Sequence, residues 1–290
     1  MQRIFAGLSD VTLPESRSPL GEDAELERIY GYLISPKFLA YAPAPPGQHN
    51  PAPWSAVDGG DGIEFHVQLM VQNAESDEAA RDSVWCIAAL FRLAKYPFLL
   101  APVIADQPLV APSTSSANGT PVIRTFETQR RIFTSPTGKV VCMSREDIDW
   151  VGRHWRRCQA LFKGHPKFAA VFRAFDMATV SGRSVPSLLP IWTGLETLFS
   201  FSRGEVRFRS AAFISTYLEP PGPTRLELYR RILKLYNERS AAAHGPEKVD
   251  LGSLTESYVL LRNALVKIVD SGNLPTQDAL EKDLFEPSAS

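Results

Sequence analysis

From Ser144 to Gly272 apolar positions recur at helical spacing almost without a break, whereas before about residue 140 they alternate, cluster and are interrupted. The later stretch predicts a succession of helices: "SREDIDWVGRHWRRCQALFKG", "PKFAAVFRAFDMATV", "SVPSLLPIWTGLETLFSFS", "EVRFRSAAFISTYLE", "RLELYRRILKLYNERSAAAH" and "LTESYVLLRNALVKIVDSG". The first opens with Ser-x-x-Asp, close to a capping box. "PPGPT" at 220–224 breaks the series, and Gly245–Pro246 stops the fifth helix. Helices joined by short connections and striped with apolar residues predict an all-α bundle over 141–275 that folds on its own.

The first 140 residues read as an α+β region. "GEDAELERIYGYLIS" (21–35) predicts a short amphipathic helix, and the Pro- and Gly-dense 41–62 a loop. "IEFHVQLMVQ" (63–72) alternates and predicts a strand. "SDEAARDSVWCIAALFRLAKY" (76–96) predicts a helix capped by Ser76 or Asp77. Residues 100–121 read as irregular. "VIRTFETQRRIF" and "KVVCMS", joined by "TSPTG", predict a β-hairpin. The final "NLPTQDALEKDLFEPSAS" (276–290 for most of its length) is acidic and reads as a frayed tail. The chain is thus expected to be mainly α, with an α+β N-terminal region.

Composition changes this picture little. Hydrophobic content of 44% and charged content of 22% suit a globular core. No apolar run is long enough to span a membrane, the N-terminus does not read as a secretory signal, and Cys86, Cys142 and Cys158 form no CxxC. A reducing cytoplasm fits that cysteine usage best. Charge is uneven: residues 145–275 carry 19 Lys and Arg against 13 Asp and Glu, while residues 1–144 carry 11 against 15. A basic later half suits a polyanion partner, and equally a solvated helical surface.

Candidate chemistry concentrates in "LYNERSAAAHG" (235–245). Leu228, Tyr229, Ile232 and Leu235 supply the buried stripe of this helix, off which both Arg239 and His244 are expected to lie. Asn237, Ser240 or Ala241, and His244 share one face at i, i+3 or i+4, and i+7. Arg239 stands five positions before His244, about 140° around the helix. A histidine at a helix C-terminus meets partial negative charge that favours imidazolium. Beside a permanent cation it suits phosphodiester cleavage: the imidazole moves a proton, and the guanidinium holds the phosphate. That chemistry needs no metal and no cofactor. The plain structural alternative is an arginine paired with a nearby acid and a histidine capping carbonyls.

The run resembles the Arg-Ser-x-x-x-His-Gly signature of HEPN domains, especially the Apea-like branch with its Tyr-x-x-Arg-Ser-x-x-x-His-Gly. "PIWTGLETLFSF", "EVRFRSAAFISTYL" and "LRNALVKIV" resemble neighbouring helices of that family, so the likeness covers about 185–272. It implies an all-α HEPN-like domain that is a metal-independent endoribonuclease, used in bacterial antiviral defence or as a toxin. The resemblance also implies a homodimer through the C-terminal helices, with Arg239 and His244 catalytic. Ser240, Asn237 and Glu196 then support or bind RNA. Residues 1–140 lie outside the likeness and hold no acid–base constellation, so they are expected to regulate or to recognise a protein or phage-derived trigger. Some members are inactive, so a catalytically silent RNA- or protein-binding dimer is the second expectation.

Other groups are weaker. His154, Cys158 and His165 have partial metal-ligand spacing but no fourth ligand, and a structural role is expected. "HWRRCQALFK" and "TQRRIF" read as charged surfaces, and His66 as a packed or surface residue. Trp54, Trp85, Trp150, Trp155 and Trp192 read as core anchors.

Overall fold

A computed structural model describes residues 2–33, 47, 63–110, 122–129, 131–135, 138–180, 184–201, 206–244 and 251–286; the side chains of 2, 184–187 and 241–244 lie outside that description. Trp54, most of the 41–62 loop, residues 111–121 and the Gly245–Pro246 stop also fall outside it. Eight helices predominate among the described residues, beside an antiparallel sheet. The chain divides into two compact units. One comprises residues 1–84, 99–128 and 139–145; the other comprises 85–98, 129–138 and 146–290. A single cut at residue 140 does not describe this division.

The first unit is built on strands β1 (Gln2–Ser9), β2 (Val11–Thr12), β3 (Arg17–Pro19), β4 (Ala24–Leu33), β5 (Ile63–Ala74), β6 (Val103–Ala105), β7 (Ile123–Thr125) and β8 (Val141–Cys142). Six form an antiparallel sheet in the order β3-β4-β5-β1-β6-β7. Residues 24–33 are therefore a strand, not the expected helix. Ala24 and Leu26 bury one face while Glu25 and Glu27 take the other, a period of two, and the backbone groups pair with both β3 and β5. Arg17 fixes that edge by donating to Glu27 at 2.8 Å.

The expected hairpin is also corrected. β7 pairs with β6, and β8 pairs in parallel with β2, so the two segments belong to different sheets. Phe65 in β5 lies across neighbouring strands: a Cβ at Gly7 or Gly31 would stand 2.7 or 2.2 Å from its ring. The strand crossing therefore requires glycine at both positions.

Helix α1 (Asp77–Ala94) begins as expected, with Ser76 Oγ accepting the Ala79 N–H at 3.1 Å. Its residues from Trp85 onward belong to the second unit. There α2 (Arg145–Gly164), α3 (Pro166–Ala178), α4 (Ser184–Phe199), α5 (Val206–Leu218), α6 (Pro223–His244) and α7 (Leu251–Ser271) follow the predicted series. Trp155, Trp192, Phe168, Phe172, Phe175 and Phe199 fill its core. Trp85 and Trp150 are only half-buried, and donate to Asp176 and Asp270. Gly194 lets α4 meet α7, since a Cβ there would stand 2.9 Å from Leu261.

The acidic tail is not frayed over 277–285. It forms α8 (Gln277–Phe285), capped by Thr276 and buried at Leu280 against α5.

A buried cluster of three charges, two positive and one negative, anchors the second unit. Arg92 and Arg131 converge on Asp176 with Thr179 and Trp85 around them, all three charged side chains 2–3% exposed.

Candidate functional site

Helix α6 carries the motif. Ile232 and Leu235 are fully buried on one face, and Leu228 and Tyr229 are half-buried beside them. Arg239 follows Ile232 and Leu235 at i+7 and i+4, so its side chain enters the same buried flank and is 24% exposed. This corrects the expectation that Arg239 lies off the apolar stripe.

The guanidinium does not bend toward the helix end. It reaches α4, where Nη2 stands 3.5 Å from Glu196 Oε1. It also lies 5.6 Å from the Tyr236 ring centroid, within cation–π range. Tyr236 in turn stands edge-on to Trp192, 5.3 Å between centroids, and the Trp192 indole donates to Ser257 on α7. Burial, and next the negative charge of Glu196, hold the Tyr236 phenol above its ordinary value, against the opposing pull of Arg239 and Arg207.

Two buried polar atoms in this cluster have no hydrogen-bond partner: Glu196 Oε1 and Arg239 Nε. The ion pair is thus close enough for attraction yet poorly aligned for a hydrogen bond. A buried polar atom left unpaired costs about 1–3 kcal/mol, so both atoms favour an incoming partner.

Around the helix, Arg207 at the start of α5 donates from Nη1 to Asn237 Oδ1 at 3.0 Å. A second guanidinium is thereby brought to the motif. Ser240 is half-buried on the next turn. Glu238 accepts from Ser253 Oγ at 2.5 Å, and Arg231 pairs with Glu256, which together tie α6 to α7. The backbone of His244 ends α6, and its side chain lies outside the described residues.

The structure therefore gathers Glu196, Asn237 and Arg239 with two residues to which sequence reasoning gave no role, Tyr236 and Arg207. Tyr236 sits three positions before Arg239, a spacing that itself signals proximity on a helix. Arg207 lies on another helix in the ordinary run "VRFRS", and no local pattern marks it.

The other candidates separate. His154 Nδ1 lies 2.7 Å from the Trp150 carbonyl oxygen and its Nε2 3.5 Å from Asp270. Cys158 is buried against Cys86, which with desolvation pushes its thiol well up. His165 precedes α3 as its N-cap residue. His66 packs edge-on to Tyr30. Among the described residues no three His, Cys, Asp or Glu side chains group as a metal site, and no helix is long and apolar enough to cross a membrane.

Compared with family models, curated proteins and solved structures, the chain matches none.

Proposed function

We propose that the C-terminal helices form a HEPN-like domain and that the chain is a metal-independent endoribonuclease working through Arg239 and His244. The observation that carries this reading is the state of Arg239. Its guanidinium is held in place by Glu196 and Tyr236, yet its Nε is buried without a hydrogen bond, on the last two turns of α6, which ends at His244. A positioned cation with unused donors is what a scissile phosphate requires.

In this reading the RNA 2′-oxygen attacks phosphorus, its proton passes to an imidazole, and the 5′-oxygen leaves with a proton from an imidazolium. The products carry a 2′,3′-cyclic phosphate and a 5′-hydroxyl. Arg239, with Arg207 beside it, offsets charge on the phosphoryl oxygens; Glu196 orients Arg239, and Asn237 orients Arg207. A homodimer through the C-terminal helices supplies two His244 side chains, one to accept and one to donate. The N-terminal unit serves recognition of a trigger.

A second reading rests on the same ion pair. Arg239 is three-quarters buried and partnered by an acid, as a structural arginine in a silent RNA- or protein-binding dimer would be. Cleavage of RNA in EDTA by the wild type and by His244→Ala separates the two. Cleavage that the substitution abolishes supports the enzyme. RNA binding without cleavage in either protein supports the silent dimer.

A further inference from the structure

The N-terminal unit holds a cavity of about 220 Å³ unrelated to the helical motif, lined by Arg3 and Ile4 of β1, Asp77 and Arg81 of α1, Ile104 to Asp106 at the end of β6, and Val122 and Arg124 around β7. We propose that it binds a small phosphate monoester.

Three arginines from three separate elements line the cavity, against two acidic residues. Both acids have structural employment. Asp77 receives Arg81 Nη2 at 2.6 Å and stands 3.8 Å from Arg124, while Asp106 accepts the Val122 N–H at 2.9 Å. The arginines do not use their donors to the same extent. Arg81 Nε is buried with no hydrogen-bond partner, an arrangement that an anionic oxygen would relieve.

The forks of guanidinium groups match oxyanions in two-point geometry. Three of them suit a phosphoryl group, with three equivalent oxygens, better than a carboxylate with two. The cavity also has an apolar floor: Ile4, Ile104 and Ala105 are almost wholly buried beneath it. That floor provides for the carbon part of an ester, which inorganic phosphate lacks. The volume lies below the roughly 300 Å³ at which pockets for drug-sized ligands begin, so the ligand is small.

The test is calorimetric titration of the full chain at low ionic strength with ribose 5-phosphate, inorganic phosphate and uncharged ribose. Saturable binding is expected for ribose 5-phosphate, weaker binding for inorganic phosphate and none for ribose. Arg124→Ala and Arg3→Ala should each weaken ribose 5-phosphate at least ~10-fold, the effect of losing a charge-assisted contact. Arg81→Ala also removes the pair with Asp77 and disturbs the start of α1, so the other two variants decide. Absence of saturable binding in the wild type overturns the proposal, as does affinity unchanged in both variants.

Discussion

Arg92 and Asp176 form a two-point ion pair, Nε to Oδ1 at 2.6 Å and Nη2 to Oδ2 at 2.8 Å, with both side chains almost completely buried. Burial by itself would raise the Asp176 carboxyl. The charges of Arg92 and Arg131, with hydrogen bonds from Arg92 and Trp85, outweigh it and hold the group below its ordinary value. A carboxyl depressed in the folded state contributes stability above the unfolded value near 3.9 and loses it as pH falls through the folded value. Urea midpoints between neutral pH and pH ~3 should therefore fall steeply for the wild type at the acid end. Arg92→Leu leaves Asp176 under-compensated and should cost about 3–5 kcal/mol at neutral pH.

The same relationship decides where the chain can be cut. A fragment beginning near residue 141 keeps Asp176 but loses Arg92, Arg131 and Trp85, its partners within the helical unit. It also strips Arg262 of the Leu93 carbonyl to which it donates at 2.7 Å. Losses of several kcal/mol against a total stability of about 5–15 kcal/mol should leave this fragment without a cooperative thermal transition in far-ultraviolet circular dichroism. A fragment that begins at Asp77 retains those partners and should melt cooperatively. A cooperative melt of the 141–290 fragment would show that the unit tolerates their loss.

The helical series was legible because each helix pairs an apolar stripe with a break or cap, as in Ser76 before α1 and "PPGPT" before α6. β4 was not. Its Glu, Leu and Arg residues are good helix formers, and only pairing with β5 and β3 makes the alternation at Ala24 to Glu27 decisive. β1 escaped notice because Ile4, Phe5, Ala6 and Leu8 are all buried, so a strand covered on both faces shows no alternation. The buried triad was out of reach, since its members lie 84 and 45 positions apart. Within the candidate site, Glu196 and Arg239 were visible in their local runs, whereas the approach of Arg207 depends on how α5 meets α6.

Gly31 and Phe65 give a test of the sheet. A methyl group at Gly31 would overlap the Phe65 ring at 2.2 Å. Gly31→Ala should cost about 1–3 kcal/mol through overpacking. Phe65→Ala should cost about 3–5 kcal/mol by emptying the space over the strands. Because the two changes address one contact, the double variant should be more stable than the sum of the single losses implies. Strict additivity in urea denaturation would show that the ring does not occupy this position.

In the proposed ribonuclease the chemistry falls to Arg239 and His244, and the structure makes their substitutions unequal. His244 ends α6, so His244→Ala should leave the melting temperature nearly unchanged while removing proton transfer, a loss of about 10²–10⁴ in cleavage rate. Arg239 is different: its side chain runs along the flank of Ile232 and Leu235 to Glu196. Arg239→Ala should therefore lose both activity and stability. Arg239→Lys keeps the charge and most of the stem but not the planar fork, so it should retain most of the stability and little of the activity. Glu196→Gln removes the charge that orients the guanidinium while preserving shape, and should lower activity less than either change at Arg239. Products should carry cyclic or 3′-phosphate ends, and EDTA should not alter the rate. Unchanged cleavage by His244→Ala, or activity lost in EDTA and restored by Mg²⁺, would refute the mechanism. Full activity in Arg239→Lys would reduce that residue to its structural part in the pair with Glu196.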